Sequence, residues 1–571
     1  MQRNTTADSQ NDFRPPPPPF SLVLALGYAL WTGSATMLMA ALGFWRMHGL
    51  LTVGILGMTG LATAATLWQL RPTTLNFWIW LRQHWLWLLP FAVLLLVTAA
   101  HASYYPFTGD DTLARYAYTA RMLLQRGSLR GFYLDGYPLW LPMLLAMPLQ
   151  FWPTAEWVGN LLTLGAALAS ILATYGLGSE WFGRRAGWVA ALVLASNMLY
   201  LRWSALTYLD VPSSLYFVLL AFTGHRWYQT GRWYWATLSG MLLGQAIWVK
   251  QAGFAALPPL GVLGLCLLWQ QRRSWSGLRR SSLQGVSLLI LAILAGGWWY
   301  VRNGWLLGWQ AAVPDPGVFY TAQAQHGWLE LLPFWSHASQ WQQPSAALGL
   351  LGLFALPITL TRPQTRAGTA AALGWAYVYT LLWWLGFSYD ARFLLTVLPF
   401  FALLTAAASQ WVAARLPLNT HWAQGLILCV AGVLVAVTSY QARLGGLQQW
   451  LRAPRASYAE RMTRAKDNLY PVVQFVRTHY SADTRILTMD GRQLYFLLDY
   501  PHITVSYPDF CKVPNTLASY DLFIVDSDST WVYSGLGINA DCLQQVLDDN
   551  QQTRLIYREG DSAVYAVEHE N

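Results

Sequence analysis

Charge is scarce in this chain. Of its 571 residues only 11% are Asp, Glu, Lys or Arg, against 55% hydrophobic residues, and the mean hydropathy is +0.30. Each ionisable side chain therefore needs a reason for its position. Cysteine is also sparse. Cys266 and Cys429 fall in apolar stretches, where packing accounts for them. Cys511 and Cys542 fall in a polar tail, where an oxidising compartment would permit a disulfide. No internal repeat and no inverted halves are visible, which weakens a secondary-transporter reading. A cleavable leader is not expected, because the first apolar stretch is long and follows a polar tail. That tail ends in Pro15 to Pro19, a stiff polyproline II spacer. The C-terminal VEHEN carries no retention signal for the endoplasmic reticulum, so a bacterial inner (plasma) membrane is the expected location.

Long apolar runs fill the rest. A bilayer crossing takes roughly 20 such residues, and the pattern predicts about 13 spans. They lie near 20–45, 50–69, 84–101, 156–176, 187–203, 210–224, 233–250, 254–270, 283–303, 345–361, 370–388, 392–412 and 422–440. Loops rich in Lys and Arg stay in the cytoplasm. With the N-terminus inside, the inner loops hold Arg71, Arg82, Arg184, Arg185, Arg226, Arg232, Arg272, Arg273, Arg279, Arg280, Arg362, Arg366 and Arg415, whereas the outer loop 304–344 has no Lys or Arg. This asymmetry sets the N-terminus in and the C-terminus out. It also accounts for most of the +9 net charge, which is not read as a nucleic-acid surface. The 33 Trp fit aromatic belts at the two membrane interfaces.

Three segments lie outside: 103–155, 304–344 and the tail from about 441 to 571. In the first, Thr112 to Gln125 is patterned as an interfacial helix. Its apolar residues Leu113, Tyr116, Ala117, Ala120 and Leu124 alternate with Arg115, Arg121 and Arg126. The following GYPLWLPMLLAMPLQFW is apolar but holds Pro138, Pro142 and Pro148, which predicts a bent or re-entrant segment. The tail alternates strand and helix signals: TRILTM, HITVSY, DLFIVD, TRLIYR and AVYAV as strands, with 459–479, GRQLYFLLD and ADCLQQVLDD as helices. The fold class is thus a polytopic α-helical membrane protein with a small C-terminal extracytoplasmic α/β domain.

Under this topology several ionisable residues gather at the outer ends of spans. Asp110 and Asp111 follow one span in YYPFTGDDTLARYAYTARML. Arg202 and Asp210 bracket a turn in YLRWSALTYLDVPSS. Lys250 sits in IWVKQAGF, Arg302 in GWWYVRNGW, and Asp390 with Arg392 in GFSYDARFLLTVLP. Singly, each reads as an interfacial snorkelling residue. Together, cations and acids at one membrane face are costly and rarely idle. Arg and Lys suit a phosphate leaving group, as a planar fork and a point charge respectively, and a carboxylate opposite them can take a proton from a hydroxyl nucleophile.

These stretches carry a family resemblance. GDDTLARYAYTARMLLQRGSL, GYPLWLPMLL, LRWSALTYLDVP, WVKQAGFAALPPL and DARFLLTVLPFFALL, in that order, resemble the GT-C glycosyltransferases of the protein-O-mannosyltransferase and aminoarabinose-transferase superfamily (family 39-like), over roughly residues 84–440. The resemblance implies an inverting transfer of a sugar from a polyprenyl-phosphate donor to an acceptor hydroxyl on a protein, glycan or lipid at the outer membrane face. It implies a catalytic base at Asp110, or else Asp111, and contacts from Lys250, Arg302 and Arg392, with Arg202 as a further candidate, to the lipid phosphate. Asp210 becomes a second active-site carboxylate or a structural partner for a cation. No cofactor is required on this reading, although Asp110 and Asp111 could hold a divalent cation; His326 and His337 of the outer loop read as surface histidines, with addition to such a site as the alternative. The implied organisation is a cytoplasmic Pro-rich tail (1–19), an added pair of spans (20–83), a catalytic membrane module (84–440) with outer loops 103–155 and 304–344, and an α/β domain (455–571). Asp526 and Asp528 in IVDSDS read as a turn after a strand, with acceptor docking as the functional alternative. The competing readings are a polytopic transporter, or a non-catalytic membrane scaffold with an exported interaction domain.

Overall fold

The structure, a computed structural model, describes residues 18–42, 49–69, 77–126, 136–309, 363–386, 391–413, 445–465, 469–526, 541–548 and 552–568, with the single positions 360 and 433. Asp390, Asp528, His326, His337, Cys429 and the spans expected near 345–361 and 422–440 lie outside these residues, as does nearly all of the outer loop 304–344.

The membrane part is a bundle of packed helices. Among the described residues five are long and apolar enough to cross a membrane: Phe20–Ala41, Gly49–Trp68, Glu156–Phe182, Gln251–Gln271 and Trp275–Leu307. The span expected near 84–101 lies within the 28-residue helix Phe77–Tyr104, while several of the others are shorter or more polar. The stretch 187–203 breaks into Arg184–Ala195 and Met198–Ser204, because Asn197 caps the second helix by accepting from Tyr200 N at 3.1 Å. Asp210–Thr230 is long but carries Asp210, His225 and Arg226. Arg226, expected as an inner-loop topology charge, is buried and paired with Glu180 at 2.8 Å. Cys266, expected to pack inside, is exposed, because its helix turns an outer face away from the bundle.

Glu156–Phe182 is the spine, packed against Phe20–Ala41, Arg184–Ala195 and Asp210–Thr230. Phe20–Ala41 is tied in by hydrogen bonds from Tyr28 to Leu162 O, from Tyr216 to Ala29 O at 2.9 Å and from Trp248 Nε1 to Thr36 at 3.1 Å. The prolines expected to bend the segment after the first outer loop do not prevent a helix. Trp140–Phe151 is a regular, mostly buried helix. Pro142 lies in its first turn, where the missing N–H is no loss, and Pro148 is accommodated near its end.

The crossing that sets the end of Trp233–Val249 depends on small residues. A Cβ at Gly240 would come within 2.5 Å of Leu288 O, and one at Gly244 within 2.4 Å of Ala292 O. Two glycines four apart let the backbone of Trp275–Ala292 approach closely, and this fixes where Lys250 emerges, one residue past Val249. The tail forms a five-stranded sheet of β1 (Ile486–Thr488), β2 (Ile503–Val505), β3 (Leu522–Asp526), β4 (Thr553–Glu559) and β5 (Ser562–Val567), in the order β2-β1-β3-β5-β4. β1 is parallel to β2 and β3, while β5 is antiparallel to β3 and β4. Each strand falls on one of the five segments read as strands, with β4 and β5 each running one residue beyond theirs, to Glu559 and from Ser562. The helix Leu469–His479 covers one face, with Phe475 stacked on Tyr557 at 4.4 Å. Cys511 and Cys542 form a disulfide.

Gly244→Val is expected to lower the thermal unfolding temperature of the detergent-solubilised protein by several degrees, through overpacking of roughly 1–3 kcal/mol. Gly285→Val, on the partner helix with open space around its Cα, is the control. Equal melting of the two variants would show that the close crossing does not limit stability.

Candidate active site

Four of the predicted residues meet at one end of the bundle. The start of Asp210–Thr230, the end of Trp233–Val249 and the turn Ala391–Thr396 before Leu398–Ala413 lie together there, joined by ion pairs of Asp210 with Lys250 and Arg392. Asp210 occupies the first turn of its helix and Lys250 follows the last turn of the next. Each charge therefore complements the dipole of the helix that presents it. Lys250 Nζ contacts Asp210 Oδ1 at 2.6 Å, and Arg392 Nε approaches Asp210 Oδ2 at 3.6 Å. Arg392 Nη1 also meets Asp111 Oδ2 at 3.1 Å, and Asp111 pairs with Arg115 at 3.6 Å. Two carboxylates, Asp111 and Asp210, thus stand among three cations, Lys250, Arg392 and Arg115.

Aromatic rings wall this cluster. The Arg392 guanidinium lies 5.0 Å from the rings of both Trp203 and Tyr208 and 5.1 Å from Phe393. Lys250 Nζ is 4.2 Å from the Phe393 ring. Weak hydration lets Arg sit among such faces. Burial, with Asp111 and Asp110 nearby, pushes the Tyr208 phenol above its ordinary range, so it stays a neutral hydroxyl. Its oxygen accepts from Asp111 N at 3.2 Å. Gly109 is required here, since a Cβ would meet the Tyr208 ring at 2.3 Å and Thr112 Oγ1 at 2.7 Å. Thr112 Oγ1 donates to Thr207 O at 2.7 Å, binding the acidic loop to the turn before Asp210.

The adjacent acids part company. Asp111 is 22% exposed and faces the cluster. Asp110 is 78% exposed and meets Arg492 of the tail at 3.2 Å. Arg202 lies 5.6 Å from the Trp203 ring, the indole that Arg392 also approaches. Arg302 lies over Trp299 at 4.5 Å and donates to Asn303 at 2.8 Å. Asn303 donates to Gly136 O at 2.9 Å, one residue from Tyr137, whose ring is 6.1 Å from Tyr116. Arg302 therefore borders the same segment. Among the described residues no three His, Cys, Asp or Glu converge as metal ligands.

Sequence reasoning missed two residues. Glu156, at the start of the spine helix, is 1% exposed. It accepts from Tyr495 at 2.6 Å, Tyr458 at 3.0 Å, Phe107 N at 2.9 Å and Arg121 at 3.4 Å. Burial first, then the Glu156 carboxylate, raise the Tyr495 phenol well above its ordinary range and keep it a donor. A lone acid opening a long apolar span was the available signal. Arg492 had none, since nothing in its neighbourhood separates it from any surface arginine. The helix around Arg115 and Arg121, expected to lie on a surface, is instead buried on its Leu113, Tyr116, Ala117 and Ala120 side. Arg121 stacks on Tyr495 of the tail at 3.9 Å.

Lys250→Met leaves Asp210 buried beside Arg392 alone, and the expected loss of stability is about 3–5 kcal/mol. Lys250→Met with Asp210→Asn should recover much of that loss. Thermal unfolding of both variants checks this, and a double variant no more stable than the single would refute the pairing as an energetic unit.

Residues 138–300 match the model of the family described as dolichyl-phosphate-mannose-protein mannosyltransferase. That stretch contains Arg202, Asp210 and Lys250. No curated protein matches the chain. Among solved structures, the chain is similar to ArnT from Cupriavidus metallidurans bound to undecaprenyl phosphate, at 16% identity and a TM-score of 0.53, over 86% of this chain and 98% of that one. It is likewise similar to ArnT from the same organism in the apo state, at 14% identity and a TM-score of 0.54, over 84% and 97%. The likeness shows the fold: a helical membrane-protein architecture like that of ArnT.

Proposed function

We propose that the protein is an inverting membrane glycosyltransferase that moves a sugar from a polyprenyl-phosphate donor to an acceptor hydroxyl. The observation that carries this reading is the meeting of Asp111 with Lys250 and Arg392, a proton acceptor beside a phosphate-binding pair. The matched family description and the undecaprenyl phosphate held by the similarly folded ArnT support the donor class. The reaction lies at the outer face of a bacterial inner membrane, with the N-terminus cytoplasmic and the tail domain outside. The charge asymmetry of the loops supports that orientation.

In the mechanism, the acceptor oxygen attacks the anomeric carbon from the face opposite the phosphate. Asp111 takes the hydroxyl proton as the new glycosidic bond forms. The bond from the anomeric carbon to the phosphate oxygen breaks, and its electrons leave with the polyprenyl phosphate. That developing charge is met by Lys250 and Arg392, which a phosphate oxygen can share with the carboxylates they hold in the free protein. Arg302, on the helix that contacts the segment bearing Tyr137, extends the positive surface toward the lipid, and Arg202 stands 5.6 Å from the Trp203 ring as a further candidate. Preformed positive charge of this kind is the larger contribution to such a reaction, and general-base help supplies roughly 10²–10⁴-fold. Asp111 rather than Asp110 fits the base, because it faces the cations while Asp110 turns to Arg492. Asp210 serves chiefly to hold Lys250 and Arg392 in place. Two side-chain cations beside the phosphate make a divalent metal unnecessary to the chemistry. The acceptor is a hydroxyl of a protein, glycan or lipid.

Asp111→Asn is expected to reduce transfer by roughly 10²–10⁴-fold while undecaprenyl phosphate still binds, measured by release of polyprenyl phosphate and by lipid binding in detergent. Asp110→Asn should cost less, no more than about 10²-fold, since it acts only through the placement of Asp111. Full transfer by Asp111→Asn would remove that carboxylate from the chemistry. Transfer should also survive EDTA, and restoration of a lost rate by Mg²⁺ or Mn²⁺ would show that a metal takes part.

A further inference from the structure

The tail domain turns a particular edge toward the catalytic loop. β1 has β2 on one side and β3 on the other, both parallel to it. The chain leaves β1 at Thr488 and turns through Met489, Asp490, Gly491 and Arg492, while β3 ends at Asp526. In open sheets of this kind the space beyond the carboxyl ends of neighbouring parallel strands is where ligands are held. Here that space contains the Arg492 side chain. Its Nη2 lies 2.7 Å from Asp526 and 2.8 Å from Asp490, and its Nε donates to both Asp490 oxygens at 2.9 Å. The remaining arm, Nη1, extends to Asp110 at 3.2 Å. The contact is close on both sides: a Cβ at Gly491 would lie 3.3 Å from the Ala114 Cβ of the loop.

The arrangement is a fixed arm. Arg492 is clamped by two acids of its own domain and is only 17% exposed, so it cannot follow Asp110 if that residue moves. Asp110 and Asp111 are neighbours of like charge, and each is a fitting partner for Arg392 and Arg115. Held outward by Arg492, Asp110 does not compete for those cations, and Asp111 keeps them. We infer that Arg492 is a positioning residue for the transfer reaction, acting through Asp110 to hold the loop Gly109–Thr112 with Asp111 facing the cations. The effect on catalysis rests on the reading of Asp111 as the base; the hold on the loop does not.

The test uses the full-length protein in lipid nanodiscs, as Arg492→Gln, Arg492→Lys, Asp110→Asn and the double variant Asp110→Asn with Arg492→Gln. Hydrogen–deuterium exchange of the peptide covering 106–118 reads the loop directly. Release of polyprenyl phosphate from the native donor-lipid fraction gives kcat and KM, and binding of undecaprenyl phosphate gives donor affinity. Arg492→Gln and Asp110→Asn should each raise exchange in that peptide several-fold and to a similar extent, with no further rise in the double variant. Because a displacement of about 1 Å costs on the order of 10²-fold in rate, kcat should fall by about 10- to 100-fold, with undecaprenyl phosphate affinity within about twofold of wild type, and Arg492→Lys should recover part of the loss. Exchange and kcat at wild-type values in Arg492→Gln, or losses that multiply in the double variant, would overturn the inference. If Arg492→Gln fails to fold, the exposed Asp110→Asn decides in its place: unchanged exchange there overturns it equally. Should Asp111→Asn prove fully active, the chemical reading fails, and the exchange data alone still judge the hold on the loop.

Discussion

The ion pair between Lys250 and Asp210, with Arg392 drawn to the same carboxylate, is the constraint on which the rest of the site depends. Two helices that run in opposite directions must end at the same level for the pair to close, and the Gly240 and Gly244 crossing sets that level for one of them. Bringing such charges out of water is expensive, and a buried pair is a poor device for stability alone. On the proposed function, its value is that it stores two cations in a largely buried wall, ready to exchange a carboxylate partner for a phosphate oxygen. The aromatic faces of Trp203, Tyr208 and Phe393 keep competing water away from them.

Much of this was legible in the chain itself. Scarce charge made each outer ionisable residue conspicuous, and hydropathy with the arginine asymmetry sorted residues 110, 210, 250 and 392 onto one side. Period-two runs bounded by turn residues disclosed the five strands. The limits have equally physical causes. Prolines at 142 and 148 signalled a bend because periodicity cannot show that a first-turn proline loses nothing. The break at Asn197 was hidden inside a run of uniform hydropathy, since a cap is a hydrogen bond and not a composition. Arg226 looked like a topology marker because its partner Glu180 lies on another helix. The divergence of Asp110 and Asp111 depends on which neighbours each meets, and those come from residues 392 and 492, far along the chain.

The tail is therefore more than an appendage to the bundle. It is joined to the first outer loop by Arg492 on Asp110 and by Tyr495 stacked under Arg121, and to the spine helix through Tyr495 and Tyr458 on Glu156. These contacts differ in kind. The Glu156 hub is buried and fully hydrogen-bonded, which rigidifies. The Arg492 contact ends on an exposed carboxylate, which yields more easily.

Glu156 also imposes an order of events on biosynthesis. Its partners come from early and late parts of the chain: Phe107 and Arg121 on one side, Tyr458 and Tyr495 on the other. While the ribosome is still making the region beyond residue 440, this carboxylate sits at the rim of an assembled bundle with half of its donors unmade. The loop bearing the two acids can make its contacts with Arg492 and Tyr495 only after the tail has been synthesised and folded, so a partly synthesised molecule has Asp210 and Lys250 in the chain before those contacts exist.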